Sequence, residues 1–99
     1  MRKAALEVKV LPPLTEKQAK CLEYIFDYFA RNRYYPTHRE VAAAMSVRSN
    51  TAEIYIEPLE RKGYLLREEG KQRNLRLTPE ALERLQLNGV DVRERLTAA

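Results

Sequence analysis

Three features of the sequence predict a mainly α fold with one small β-hairpin. Two capping signatures, Thr15 with Gln18 and Thr37 with Glu40, each precede apolar residues at helical spacing. A third run, Ala52, Ile56 and Leu59, follows closely at i, i+4, i+7 and stops at Gly63. Two short strand-like runs then bracket a polar loop holding one glycine. Helix, helix–turn–helix and hairpin in this order make a winged helix-turn-helix: a three-helix core plus a wing and a C-terminal helix.

Each element follows from local chemistry. Leu6, Val8 and Val10 alternate with Glu7 and Lys9, a strand period closed by Pro12-Pro13. Residues 1-13 are read as an N-terminal arm, either added to a sheet edge or a loose terminus. The first helix runs from Thr15 to about Asn32, with Ala19, Leu22, Ile25, Phe26 and Phe29 on one face and Tyr24 and Tyr28 flanking it. Cys21 sits beside this stripe and is read as packing. Pro36 stops any helix through Tyr34 and Tyr35. The second helix, His38 to about Met45, turns Val41, Ala42 and Met45 inward, and Ser46-Val47-Arg48 makes the turn.

The Ser49 hydroxyl is expected to cap the third helix, which spans 50-62. Arg61 and Lys62 suit the negative end of its dipole. Pro58 falls inside it, where proline removes a backbone hydrogen bond, so the helix either bends or splits there. Because Leu59 stays in phase with Ala52 and Ile56, one helix with a bend is expected. Tyr64-Leu65-Leu66-Arg67 and Asn74-Leu75-Arg76-Leu77 form the wing, 64-77, around Glu68 to Arg73. Thr78 caps a fourth helix with Pro79 in its favoured first position, and Asn88-Gly89 stop it. Asp91 with Glu94 opens a last short helix. The domain is thus placed at 14-78, with 79-99 as a C-terminal helical extension.

Composition narrows the function. Ninety-nine residues suffice for one compact domain, and 44% hydrophobic residues suffice for a core. Glu7 and Lys9 interrupt any signal-peptide-like apolar stretch, and the lone Cys21 excludes an intrachain disulfide, so a cytoplasmic protein is expected. One histidine and one cysteine cannot build a zinc cluster, and the three glycines lie singly, giving no phosphate loop. No metal, no cofactor and no enzymatic activity are expected. The net charge of +4 is modest, but its distribution is informative. Between Arg31 and Arg48 four arginines and His38 face only Glu40, and between Arg61 and Arg76 six basic residues face Glu68 and Glu69. The less basic centre holds Glu53, Glu57 and Glu60. Two cationic flanks around a less charged centre suit a surface that grips phosphates at its edges and reads something between them; solvated faces with no partner are the other reading of charge alone.

The motifs carry a family resemblance. The stretches Tyr35-Pro36-Thr37-His38-Arg39-Glu40-Val41-Ala42, Arg48-Ser49-Asn50-Thr51-Ala52-Glu53 and Leu59-Glu60-Arg61-Lys62-Gly63-Tyr64 resemble the DNA-binding domain of LexA-type repressors. Leu14-Thr15-Glu16-Lys17-Gln18 and Arg73-Asn74-Leu75-Arg76-Leu77 fit the same family, so the resemblance covers about Leu14 to Leu77. It implies base reading by Ser49, Asn50, Thr51, Glu53 and Ile54. The sequence departs from the family at Ile54, where a polar or acidic reader is common, at Pro58, and in a helix–turn–helix turn one residue shorter. The family's usual operator is therefore not expected. Family members also carry a self-cleaving serine–lysine domain; this sequence ends at Ala99, so self-cleavage is not expected of it.

Side-chain chemistry assigns roles beside that resemblance. Asn50 suits paired hydrogen bonds to adenine, and Glu53 either accepts from cytosine N4 or simply favours the helix start. An apolar Ile54 either touches a thymine methyl or is half-buried. Thr37, His38, Arg39, Arg48, Tyr55, Lys71, Gln72 and Arg73 are the candidates for DNA backbone contact. A homodimer is expected, joined through Leu6, Val8 and Val10 of the arm or through Leu82, Leu85, Val92 and Leu96, unless those leucines fold onto their own core. The leading function is a transcriptional regulator, a repressor. The alternatives are a winged-helix module for protein–protein contact, favoured by the acidic Glu53, Glu57 and Glu60, or a plasmid or phage replication or partition factor.

Overall fold

The computed structural model describes residues 11–97, so Leu6, Val8 and Val10 lie outside the described residues. Helix α1 (Glu16–Asn32) opens with both bonds of its capping box, Gln18 N–H to Thr15 Oγ1 and Thr15 N–H to Gln18 Oε1, each 3.1 Å. It ends at Arg33, whose left-handed φ of 66° lets its N–H reach the Phe29 carbonyl. Helix α2 (His38–Ala44) begins with the second capping box, built on Thr37 and Glu40. Ser46 takes φ 61° in the turn that follows.

The third helix starts differently from expectation. Ser49–Thr51 is a single 3₁₀ turn, and helix α3 (Glu53–Arg61) grows directly out of it. Ser49 does not cap it. Ala52 is already helical (φ −58°, ψ −25°), and its carbonyl accepts from the Ile56 N–H at 3.1 Å, so the turn leads straight into the helix. The Thr51 hydroxyl instead donates to the Arg48 carbonyl at 2.7 Å. Helix α3 passes through Pro58 and reaches Arg61 as one element. Only the helical bond to the Ile54 carbonyl is forfeited there.

Strands β1 (Leu65–Arg67) and β2 (Leu75–Leu77) pair antiparallel, Leu65 opposite Leu77 and Arg67 opposite Leu75. Leu65, Leu75 and Leu77 are buried while Leu66 and Arg76 face outward, the alternation of a sheet with one wet face. Helices α4 (Pro79–Leu87) and α5 (Val92–Thr97) complete the chain. One core joins Leu22, Ile25 and Phe26 of α1, Val41 of α2, and Ile56 and Leu59 of α3 to Tyr64, the hairpin leucines and α4. Leu85 and Val92 are buried in it, and Leu82 and Leu96 pack against it. These four residues, candidates for a dimer contact, therefore pack into or against the monomer's own core, Leu82 and Leu96 remaining partly exposed. Asp27 and Arg95 pair between α1 and α5.

Leu11 also enters this core, and the segment it begins is held by its carbonyls. Arg84 Nη2 donates to Leu11 O at 3.0 Å, the buried Tyr64 hydroxyl to Pro12 O at 2.6 Å, and Lys62 Nζ to Pro13 O at 2.9 Å. The core thus draws on residues either side of 14-78.

The wing is fixed to the helices through Arg73, which sequence reading placed as an outward grip. Its Nη1 donates to Glu40 Oε1 at 2.9 Å and to the Tyr35 carbonyl at 3.0 Å, and its guanidinium lies 4.6 Å from the Tyr34 ring centroid. The strongest available acceptor, a carboxylate already oriented by the α2 cap, turns the side chain inward. Glu40 also accepts from Thr37 N–H at 2.8 Å and from the Tyr28 hydroxyl at 3.1 Å. Arg73, with the Thr37 amide next, holds the Glu40 carboxyl down to about 2.

Two predictions follow from this packing. Gly63 has φ +93°, and an added Cβ would stand 3.0 Å from Leu11 Cδ2. Gly63→Ala is expected to lose roughly 1–2 kcal/mol in urea unfolding. Gly70→Ala, at φ +80° with open space around it, is expected to lose less. Glu40 titrates lower in the folded chain than its ordinary 4.5, so its contribution is complete above that value. It drains away as pH falls toward about 2. Thermal melts from pH 7 to pH 2.5 should show a shallower acid loss for Glu40→Gln than for the parent, by a few degrees; equal slopes would remove Glu40 from this role.

Candidate nucleic-acid interface

The surface that faces away from the core at the start of α3 carries most of the sequence-predicted reading residues. Ser49, Asn50, Glu53 and Ile54 are exposed, and Thr51 is half-buried. Inward, Ala52, Ile56 and Leu59 are buried, which sets the rotation of the helix and therefore the outward edge. Ile54 is 58% exposed, high for a large apolar residue on a regular helix.

Glu53 is oriented by ion pairs. Both its oxygens accept from Arg67, at 3.0 and 2.7 Å, a fork-to-fork pair that holds the carboxyl below its usual range. Arg67 Nε donates to Glu60 Oε1 at 2.9 Å, so one guanidinium ties β1 to two turns of α3. Glu53 Oε2, the oxygen that takes Arg67 Nη1, also lies 3.3 Å from His38 Nδ1, and His38 Nε2 is hydrogen bonded to Asn74 Oδ1 at 3.0 Å. His38 therefore bridges α2 to the base of the wing. Glu57 pairs with Arg61 at 2.9 Å. All three acids that suggested an acidic docking face are thus in ion pairs with arginine, Glu53 and Glu60 sharing Arg67 and Glu57 taking Arg61.

Cations divide into two sets. Arg61, Arg67, Arg73 and Arg76 are in ion pairs. Lys71 stands 3.5 Å from Glu68 but is 65% exposed, a loose pair at the wing tip beside exposed Gln72. Arg39 and Arg48 are exposed, and among the described residues their side chains have no ion pair or hydrogen bond. Thr37, His38, Arg39 and Gln72 come together with Asn74 around one open cleft between α2 and the wing. Three consecutive candidate backbone contacts at the start of α2 and one from the wing thus line a single surface. Tyr55 does not join them; it lines a groove with Lys17, Lys20, Tyr24 and Met45 between α1 and the end of α2.

Sequence reasoning missed Arg67, Glu60, Asn74, Tyr28 and Tyr34 as parts of the site's frame. Arg67 and Glu53 sit on different elements, and no helical spacing connects them. The one available signal was the repeated acid, Glu53 and Glu60, one face of α3 opposite a basic strand.

Comparison with known proteins agrees with this architecture. The LexA DNA binding domain family matches residues 11–74. The LexA repressor of Thermotoga neapolitana is 36% identical over 76 residues, 77% of this chain and 39% of the relative. That of Sorangium cellulosum is 47% identical over 64 residues, 64% of this chain and 28% of the relative. That of Enterococcus faecalis is 38% identical over 80 residues, 79% of this chain and 38% of the relative. The chain spans under two fifths of the length of these relatives. Among the described residues no helix is long and apolar enough to cross a membrane. With the winged helix-turn-helix in place and the match running from Leu11 to Asn74, the chain belongs to the LexA DNA-binding domain family.

Proposed function

We propose that this chain is a sequence-specific double-stranded DNA-binding regulator of transcription, acting as a repressor. The observation that carries the reading is the exposed edge of the 3₁₀ turn and α3, flanked by the unpaired Arg39 and Arg48. An α-helix fits the major groove with its first residues against base edges. Asn50 then offers its amide to adenine N6 and N7, and Ser49 and Thr51 lie within the same first turn. Glu53, Arg67 and His38 act behind the readers, fixing the angle between helix and wing. Arg39, Arg48, Lys71 and Gln72, with Thr37 in the cleft, meet phosphates on either side. The relatives' name, LexA repressor, supports repression as the outcome of binding.

Binding is as a homodimer on two half-sites about one helical turn apart. With Leu85 and Val92 used inside the monomer, contact falls to the arm residues Leu6, Val8 and Val10 and to Leu87, 80% exposed on α4.

Fluorescence anisotropy tests this at two salt concentrations, with a random duplex and with one selected from a random library. Affinity for both should fall steeply with salt. Asn50→Ala should lose about 1–3 kcal/mol of preference for the selected duplex and keep its random binding. Arg48→Ala and Lys71→Ala should weaken both duplexes alike and shrink the salt slope by about 1 each. Salt-independent affinity, or identical behaviour of Asn50→Ala and Arg48→Ala, contradicts the division of roles.

A further inference from the structure

We propose that Ile54 reads the 5-methyl group of a pyrimidine in the major groove, so that one position of each half-site is recognised by a methyl group instead of by hydrogen bonds. The proposal rests on the DNA-binding reading above and specifies its chemistry. Ile54 is the second residue of α3, one turn after Asn50 on the same outward edge. Its neighbours on that edge are engaged within the protein: Glu53 with Arg67 and His38, Glu57 with Arg61. Of the exposed large apolar side chains, Ile54 alone lies on α3. A branched hydrocarbon at 58% exposure, between an amide reader and a neutralised acid, is complementary to an apolar feature of the duplex. In the major groove that feature is the methyl at pyrimidine C5.

Isoleucine has neither donor nor acceptor. It senses the methyl but is blind to the group at C4, where thymine carries an oxygen and cytosine an amine. The natural source of the methyl is thymine, and 5-methylcytosine satisfies the same contact. Uracil and cytosine do not. The position is thus ranked by a single carbon, and methylation of cytosine there strengthens binding.

The test uses the full chain. An operator is selected from a random duplex library, and each thymine is replaced in turn by uracil, which removes only the methyl. At the thymine whose loss is felt, duplexes carrying cytosine and 5-methylcytosine are then compared. For the parent protein, each methyl should raise affinity about three- to fivefold per half-site, the scale of one buried methyl group. For Ile54→Ala both ratios should fall to about 1, with a thermal melt unchanged because the side chain is exposed. Uracil substituting for every thymine without loss overturns the proposal, as does a methyl preference that persists in Ile54→Ala. In either case the DNA-binding reading survives. A parent protein that binds no duplex overturns that reading itself.

Discussion

The carboxylate of Glu40 is where three parts of this chain are fastened together. One oxygen completes the cap of α2 by accepting the Thr37 amide, and the same oxygen takes the Arg73 guanidinium from the wing. The other accepts the Tyr28 hydroxyl from α1. An acid in a helix's first turn is normally worth about 0.3–1 kcal/mol to its own helix. Here it also sets where the hairpin root sits against the helix–turn–helix. A second clamp, Glu53–Arg67–Glu60, holds the opposite strand to α3. Helix and wing are therefore held at a fixed angle before DNA arrives, and little ordering entropy is lost on docking.

The same pairs decide which charges reach outward. A formal excess of +4 says little about where a polyanion binds. The pairing pattern says more, because an arginine already bound to a carboxylate has its donors occupied and its field largely cancelled. Pairing occupies Arg73, one of the candidate grips, and ties the three acids of α3 to Arg61 and Arg67. Arg39, Arg48 and the wing-tip Lys71 are left as the more exposed cations around the start of α3 and the wing, the ones best placed for the proposed phosphate contacts.

Much of this was legible in the sequence. Capping boxes at Thr15 and Thr37 announce helix starts through local chemistry alone, and Ala52, Ile56 and Leu59 show which side of α3 is inward despite Pro58. The hairpin and the Thr78-Pro79 helix start are equally local signals. The recognition-helix start was not legible, because Ser49 has a good capping side chain and only backbone geometry at Ala52 makes it unnecessary. Nor was the orientation of Arg73. A basic residue in a polar loop reads as solvent-facing until folding brings Glu40 beside it. Leu82, Leu85, Val92 and Leu96 were an open choice between self and partner, since an apolar stripe does not state what covers it. Leu11 was hidden by the two prolines after it, which look like the end of an arm and are in fact its anchorage.

That anchorage has a geometric result. Because Lys62, Tyr64 and Arg84 grasp three successive carbonyls from residue 11 to residue 13, this short segment ties together the end of α3, the root of β1 and helix α4. Loosening any one of these three donors would slacken the joint between the helix–turn–helix and the C-terminal helices, so the prolines act as a splice between two halves of the domain.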